Sequence, residues 1–124
     1  MENQLPKIFL VEDDATMLSL LRTLLQMEGF EVVQAKEDTI DSLMETLATE
    51  MPSLALVDVN LRHFNGFEVL SRIRQTPGLE EIQVLMSSGI DYRDESVQAG
   101  ADGFILKPYM PDELIQKIRS ALKV

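Results

Sequence analysis

Several short apolar runs of the sequence end in polar side chains that could do chemistry together. The residues at these ends are Glu12, Asp13, Asp58, Ser87, Ser88 and Lys107. They offer carboxylates from two runs, a hydroxyl from a third and an ammonium group from a fourth. If the runs are parallel strands of one sheet, these groups meet at one edge.

The charges of this set indicate what else would have to bind there. Two carboxylates about 5 Å apart repel by roughly 3 kcal/mol at an effective dielectric constant of about 20. Three carboxylates against one lysine stay net negative, so either some are protonated or a cation is bound. Oxygen ligands without His or Cys favour a hard ion, and a half-open carboxylate site suits Mg²⁺ better than a caged Ca²⁺. A phosphoryl group would fit beside Mg²⁺, with Asp58 as the nucleophile that attacks phosphorus.

Each of these residues also has an ordinary structural explanation. An acidic run before a helix is often an N-cap, a single Asp after a strand is often a turn residue, and a lone lysine is usually solvated. These explanations do not account for the convergence of acids, hydroxyl and cation at one edge.

The elements that would position these groups alternate along the chain. Short β-branched or aliphatic runs begin at residues 7, 31, 54, 83 and 103, and the segments between them have room for a crossover helix. Apolar stripes at helical spacing support helices in these segments and after the last run. The pattern predicts an α/β fold: a mostly parallel five-stranded sheet, doubly wound, with helices on both faces.

Local punctuation supports the helix ends. Asp14 is expected to cap the first helix, Gly29 to end it, and Pro111 to start the last. Pro77 and Gly78 close the third helix. The fourth helix is expected to be short, because only "IDYRDESVQ" is available for it.

Composition excludes several classes of function. The chain has 124 residues, a net charge of −10 and no cysteine, so neither a disulfide framework nor a thiolate metal site is possible. The acidity argues against direct binding of nucleic acid. The absence of a membrane-spanning run and of a signal-like start predicts a soluble, cytoplasmic protein with no membrane contact.

The motifs in this order resemble the response-regulator receiver domain, the phosphoacceptor module of two-component signalling. The resemblance rests on "KIFLVEDD", "ALVDVNL", "VLMSSG" and "AGADGFILKPY", and it covers nearly the whole chain. It implies that residues 1–124 form one flavodoxin-like domain with strand order 2-1-3-4-5 and five helices, the fourth short.

The resemblance also implies roles for individual residues. Asp58 matches the phosphorylated aspartate, and Lys107 the lysine that contacts the phosphoryl group. The metal ligands would be Asp13 directly, Glu12 largely through water, Asp58, and the backbone carbonyl of Asn60. Gly66 matches the glycine after the loop that follows Asp58, Asp14 falls outside the acidic pair, and the Lys107–Pro108 peptide would be cis.

Two residues match the switch positions of the family. We choose Ser88, which is followed by Gly89, as the hydroxyl, and Ser87 is the alternative. Phe104 matches the aromatic residue that turns inward when the hydroxyl moves, although it also suits an ordinary core position. Arg62 stands where the family usually has proline, so the loop after Asp58 is less restricted.

His63, the only histidine, is expected to be an exposed loop residue. The short fourth helix puts in doubt dimerisation or output through the usual face of the family.

Three functions follow from these observations. The leading one is a switch in which a histidine kinase or phosphotransfer protein donates a phosphoryl group to Asp58 with Mg²⁺ as cofactor, with slow self-dephosphorylation and output to an unknown protein by an altered surface. Any enzymatic activity would be self-phosphorylation and self-dephosphorylation at most.

The alternative is a Mg²⁺-dependent phosphatase with the same aspartyl-phosphate intermediate, but no second acid or lid is evident. A flavin domain is disfavoured because the first strand–helix turn is acidic. Because the chain ends after the last helix, we expect either a stand-alone regulator or one module of a larger protein.

Overall fold

The computed structural model describes residues 5–124, and its elements alternate strictly between strand and helix. The strands are β1 (Lys7–Val11), β2 (Glu31–Gln34), β3 (Leu54–Asp58), β4 (Gln83–Ser88) and β5 (Gly103–Leu106). The helices are α1 (Ala15–Met27), α2 (Ile40–Glu50), α3 (Gly66–Gln75), α4 (Arg93–Gln98) and α5 (Pro111–Leu122). Every predicted strand starts at the expected residue, and α4 has only 6 residues, as expected.

The five strands form one parallel sheet in the order β2-β1-β3-β4-β5. The order reverses between β1 and β3, so the loops that follow these two strands diverge and leave a crevice at their carboxyl ends. The predicted doubly wound, flavodoxin-like fold is confirmed.

Alternating strand residues feed two apolar cores, one on each face of the sheet. On β1, Phe9 and Val11 pack with α2 and α3, whereas Ile8 and Leu10 pack with α1 and α5. Because successive strand side chains point to opposite faces, a continuous apolar run is what a strand covered on both sides requires.

Local residue signals mark the ends of α1 and α5. Asp14 accepts a hydrogen bond from Met17 N at 2.9 Å and caps α1, as predicted. Gly29, just after α1, has φ +91°, a conformation that glycine adopts without strain. Pro111 is the first residue of α5. None of the helices in residues 5–124 combines the length and the apolar character that crossing a bilayer demands.

Arg74, on α3, links the two connections that lead into β4 and β5, at the amino ends of these strands. Its guanidinium donates to the carbonyl oxygens of Gly100 (2.9 Å), Glu80 (3.0 Å) and Ile82 (2.7 Å). It also donates to Asp102 Oδ2 at 2.7 Å, and that oxygen accepts from Val84 N. One planar group thus satisfies acceptors on the α3–β4 and α4–β5 connections.

We expect Arg74→Lys to lower the free energy of unfolding by about 2 kcal/mol, because one ammonium group cannot reach four divergent acceptors and leaves some of them unpaired. Urea denaturation measures this change. Arg72→Lys on the same helix is the matched control: Arg72 pairs with the exposed Asp41, so its loss should stay within about 0.5 kcal/mol. Equal losses for the two variants would contradict the prediction.

Candidate functional site

A buried triad of charges lies at the carboxyl end of the sheet. Lys107 Nζ is 2.8 Å from Glu12 Oε1 and 3.1 Å from Asp58 Oδ1. The two carboxylate side chains are only 8% and 10% exposed, and the lysine side chain is 22% exposed. The structure therefore brings together three of the predicted site residues from β1, β3 and β5.

The backbone explains how these three residues converge. Glu12 directly follows β1 and Lys107 directly follows β5, while Asp58 is the last residue of β3. The Lys107–Pro108 peptide is cis, as the resemblance implies, and Lys107 N donates to Ser88 O at 2.8 Å. Parallel strands end at the same edge, so side chains that follow them need no long connection to meet.

Burial and neighbouring charges shift the pKa values of both Asp58 and Lys107. Burial raises the pKa of Asp58 above its ordinary value of 3.8; Lys107 counteracts this, and the nearby Glu12 reinforces it. Burial alone would lower the pKa of Lys107, but the hydrogen bond to Glu12 and the charge of Asp58 raise it above 10.5. Lys107 is therefore cationic at neutral pH, and it faces an excess of negative charge.

We expect Asp58→Asn to be more stable than the wild type at pH 7 without divalent ions, by on the order of 1 kcal/mol. The raised folded-state pKa means that ionisation of Asp58 costs stability. This loss of stability is absent when the pH is below 3.8, the pKa of Asp58 in the unfolded chain. It is complete once the pH exceeds the raised pKa of Asp58 in the folded protein. Urea unfolding in a chelator across this pH range measures it. A difference that does not shrink as the pH falls towards 4 would contradict the assignment.

The hydroxyl of Ser88 contacts the loop that follows Asp58. Its Oγ accepts from Ile90 N at 3.1 Å and from Asn60 Nδ2 at 3.3 Å. Ser87 is also buried and stands opposite Asp58 in the strand register. Both serines thus lie near Asp58, and the choice of Ser88 as the switch hydroxyl stays a prediction.

Asp13 is hydrogen bonded to the loop after β3, whereas Glu12 and Asp58 are paired with Lys107. Its Oδ2 accepts a hydrogen bond from the backbone N–H of Arg62, in the loop between β3 and α3. Within the part of the chain that the structure describes, no three His, Cys, Asp or Glu side chains lie close enough together to hold a metal ion. The two acids of the predicted pair therefore have different partners: Glu12 is paired with Lys107, and Asp13 with the backbone N–H of Arg62.

The loop between β3 and α3 closes tightly on Asp58. Gly66 N donates to Val59 O at 2.8 Å, and Asn60 and Asn65 form an isolated antiparallel bridge. A Cβ atom at Gly66 would lie 2.3 Å from the carbonyl oxygen of Asp58, far inside van der Waals contact. Glycine is therefore required here by close approach of the backbone.

Aromatic side chains pack beside the start of α4. Phe104 is buried at 3% exposure, and the guanidinium of Arg93 lies 5.9 Å from the centre of its ring. Tyr92 and Phe67 pack edge to face with ring centres 5.7 Å apart. The inward position of Phe104 is compatible with both the switch role and the ordinary core role.

Sequence reasoning missed several contacts at this site. It assigned Asn60 a backbone role only, whereas the side chain also donates to Ser88. It did not single out Tyr109, which packs against the core on the side of α1 and α5 and whose pKa burial raises to about 12. Neither the packing of Tyr109 nor the Asn60 contact has a local signal in the sequence. His63 is exposed, as predicted.

Comparison with known sequences supports one family. The sequence model of the response regulator receiver domain matches residues 8–119. The chain is 34% identical to the phosphate regulon transcriptional regulatory protein PhoB of Rhizobium meliloti, and 35% identical to the transcriptional regulatory protein CpxR of Escherichia coli K12. These matches cover 96% and 94% of this chain but 53% and 49% of the relatives, so the chain spans about half of their length.

Solved structures of receiver proteins have the same fold. A putative response regulator from Chloroflexus aurantiacus superposes with a TM-score of 0.87 at 26% identity, covering 98% of this chain and all of the other (100%). A CheY-like receiver domain protein from Methanospirillum hungatei gives 0.83 at 31% identity, with 97% and 95% covered. With the sheet order, the Glu12–Lys107–Asp58 triad and these similarities taken together, the chain belongs to the response regulator receiver domain family.

Proposed function

We propose that residues 1–124 form one receiver domain that accepts a phosphoryl group on Asp58 and transmits it as a change of surface. The observation that carries the proposal is the buried Asp58 carboxylate, paired with Lys107 at the crevice where the strand order reverses. A carboxylate in that place is reachable from the sheet edge and is held beside a fixed positive charge.

The transfer can be written with the groups of this chain. A carboxylate oxygen of Asp58 forms a bond to phosphorus while the bond from phosphorus to the donor breaks. For a phosphohistidine donor this is a P–N bond, and its electron pair stays on the imidazole nitrogen. Lys107 faces the charge that spreads over the phosphoryl oxygens, where a preorganised cation lowers the barrier most.

The donor atoms of the site fit Mg²⁺. Glu12, Asp13, Asp58 and the backbone carbonyl of Asn60 supply only hard oxygen ligands, and the three acids outnumber the single lysine. These four residues would hold the ion, which when bound would offset the charge of the acids and of the phosphoryl group. Asp13 would have to turn away from Arg62 to join them, since the two are hydrogen bonded.

Ser88 and Phe104 form the proposed switch. The hydroxyl of Ser88 is held by Ile90 N and by Asn60, so a phosphoryl group on Asp58 would compete for it. Phe104 lies in the adjacent strand beneath Arg93. A shift of Ser88 would change the space beside Phe104 and so favour one of two arrangements of the surrounding loops.

The partners we propose are a histidine kinase or phosphotransfer protein as donor and a downstream protein of unknown identity. The relatives PhoB and CpxR are named transcriptional regulators and are about twice as long as this chain. With a net charge of −10, this part is not expected to touch nucleic acid or membrane directly, and we place it in the cytoplasm. The phosphatase alternative has no observation in its favour.

Intact-mass measurement after incubation with Mg²⁺ and acetyl phosphate tests the proposal. We expect one added phosphoryl group, lost in Asp58→Asn and when the ion is chelated. Asp14→Asn is the matched control, because Asn also caps a helix and Asp14 lies outside the triad. Labelling of Asp58→Asn, or no labelling of the wild type, would reject Asp58 as the acceptor; rapid turnover of varied phosphoesters would favour the phosphatase.

A further inference from the structure

The contact between Asp13 and Arg62 joins two loops that border the crevice. Asp13 lies between β1 and α1, and Arg62 lies between β3 and α3, 49 residues away along the chain. The donor is the backbone N–H of Arg62 and the acceptor is a carboxylate oxygen, which makes the bond charge-assisted. Every residue type except proline could supply this donor.

This bond gives Asp13 a different partner from the other two acids. Glu12 and Asp58 both form ion pairs with Lys107, at 2.8 and 3.1 Å, whereas the carboxylate of Asp13 is hydrogen bonded to Arg62. In the described residues no third acid joins Glu12 and Asp58 closely enough to form a cation site. The mutual repulsion of the acids favours this separation as long as no cation offsets it.

We propose that the Arg62 N–H is a positioning group that competes with a divalent cation for the carboxylate of Asp13. Binding of the cation transfers Asp13 from Arg62 to the ion and frees the Arg62 N–H, while Asn60 in the same loop would stay at the ion through its backbone carbonyl. Because the two contacts of Asp13 exclude each other, the bond to Arg62 weakens cation binding by the same factor by which the cation weakens that bond. This inference rests on the proposed function, since it assigns Asp13 to the same Mg²⁺ site.

Titration with Mg²⁺ by calorimetry tests the competition directly. Arg62→Pro removes the N–H, and we expect it to bind Mg²⁺ about tenfold more tightly than the wild type, which converts to about 1.4 kcal/mol. Arg62→Ala is the matched control, because it removes the side chain and keeps the donor. Its affinity should stay within about twofold of the wild type.

A second measurement uses the unaltered protein. Hydrogen exchange at the Arg62 amide, followed by NMR, should be slow without divalent ions and should accelerate when Mg²⁺ saturates the site. This readout decides the question even if Arg62→Pro fails to fold.

Several results would overturn the inference. They are an Arg62 amide that stays protected at saturating Mg²⁺, a folded Arg62→Pro variant that binds Mg²⁺ no more tightly than the wild type, and no Mg²⁺ binding by either protein. Failure of acetyl phosphate to label Asp58, with the Mg²⁺ responses intact, would overturn the proposed function and leave the competition standing.

Discussion

Gly66→Ala should lower the free energy of unfolding by about 3 kcal/mol and displace Asp58 from its place beside Lys107. The added methyl group would lie 2.3 Å from the carbonyl oxygen of Asp58 and 2.8 Å from Val59 Cα. Both contacts are with backbone, so no side-chain rotation can relieve them. Either α3 or the end of β3 has to move, and the hydrogen bond from Gly66 N to Val59 O is strained or lost with it.

Urea denaturation measures the loss of stability, and labelling by acetyl phosphate measures the effect on Asp58. Gly89→Ala is the matched control: a Cβ at Gly89 meets nothing within 4 Å, and its φ is not in the left-handed region. Its stability should stay within about 0.5 kcal/mol of the wild type. If Gly66→Ala were as stable as Gly89→Ala, the conclusion that the backbone at Asp58 leaves no room for a Cβ at position 66 would be contradicted.

Among changes that remove a single charge, Lys107→Met should lower both the stability of the fold and the labelling of Asp58 the most. It leaves Glu12 and Asp58 buried next to each other without their shared cation, and breaking a buried pair in this way typically costs about 3 kcal/mol or more. Labelling of Asp58 by acetyl phosphate should slow by about 10²-fold, since a preorganised positive charge is lost from the phosphoryl oxygens.

The pH dependence separates this effect from lost packing. Once Lys107 is absent, the repulsion between the two carboxylates disappears when Asp58, whose pKa burial raises, is protonated, so the variant should recover part of its stability as the pH falls towards 4. The comparison is urea unfolding at several pH values. A loss that is independent of pH would point to packing instead.

Lys7→Met is the matched control for this change. The side chain of Lys7 is 25% exposed, close to that of Lys107, but its partners Glu50 and Glu31 are 33% and 55% exposed. Water can solvate these partners when the lysine is removed, so the cost should be about 1 kcal/mol or less. Equal losses for Lys107→Met and Lys7→Met would contradict the importance of the buried triad.

Much of the fold was predictable because its signals are local. The apolar runs that start at Lys7 and Leu54 have the length and composition of strands covered on both faces, and both are strands in the structure. Asp14 was identified as a helix cap from the residues that follow it. The convergence of Glu12, Asp58 and Lys107 followed from a single topological rule, because parallel strands with crossover helices end at one edge of the sheet.

The residue patterns were enough to identify the family, the sheet and the set of side chains that meet at the carboxyl ends of its strands. They did not reveal how those side chains pair: Glu12 with Lys107, and Asp13 with the backbone of Arg62. Arg74, an unremarkable helix residue in the sequence, emerged as the link between two connections. These pairings join segments far apart in the chain, and they depend on distances of a few ångströms set by packing, which local residue patterns do not encode.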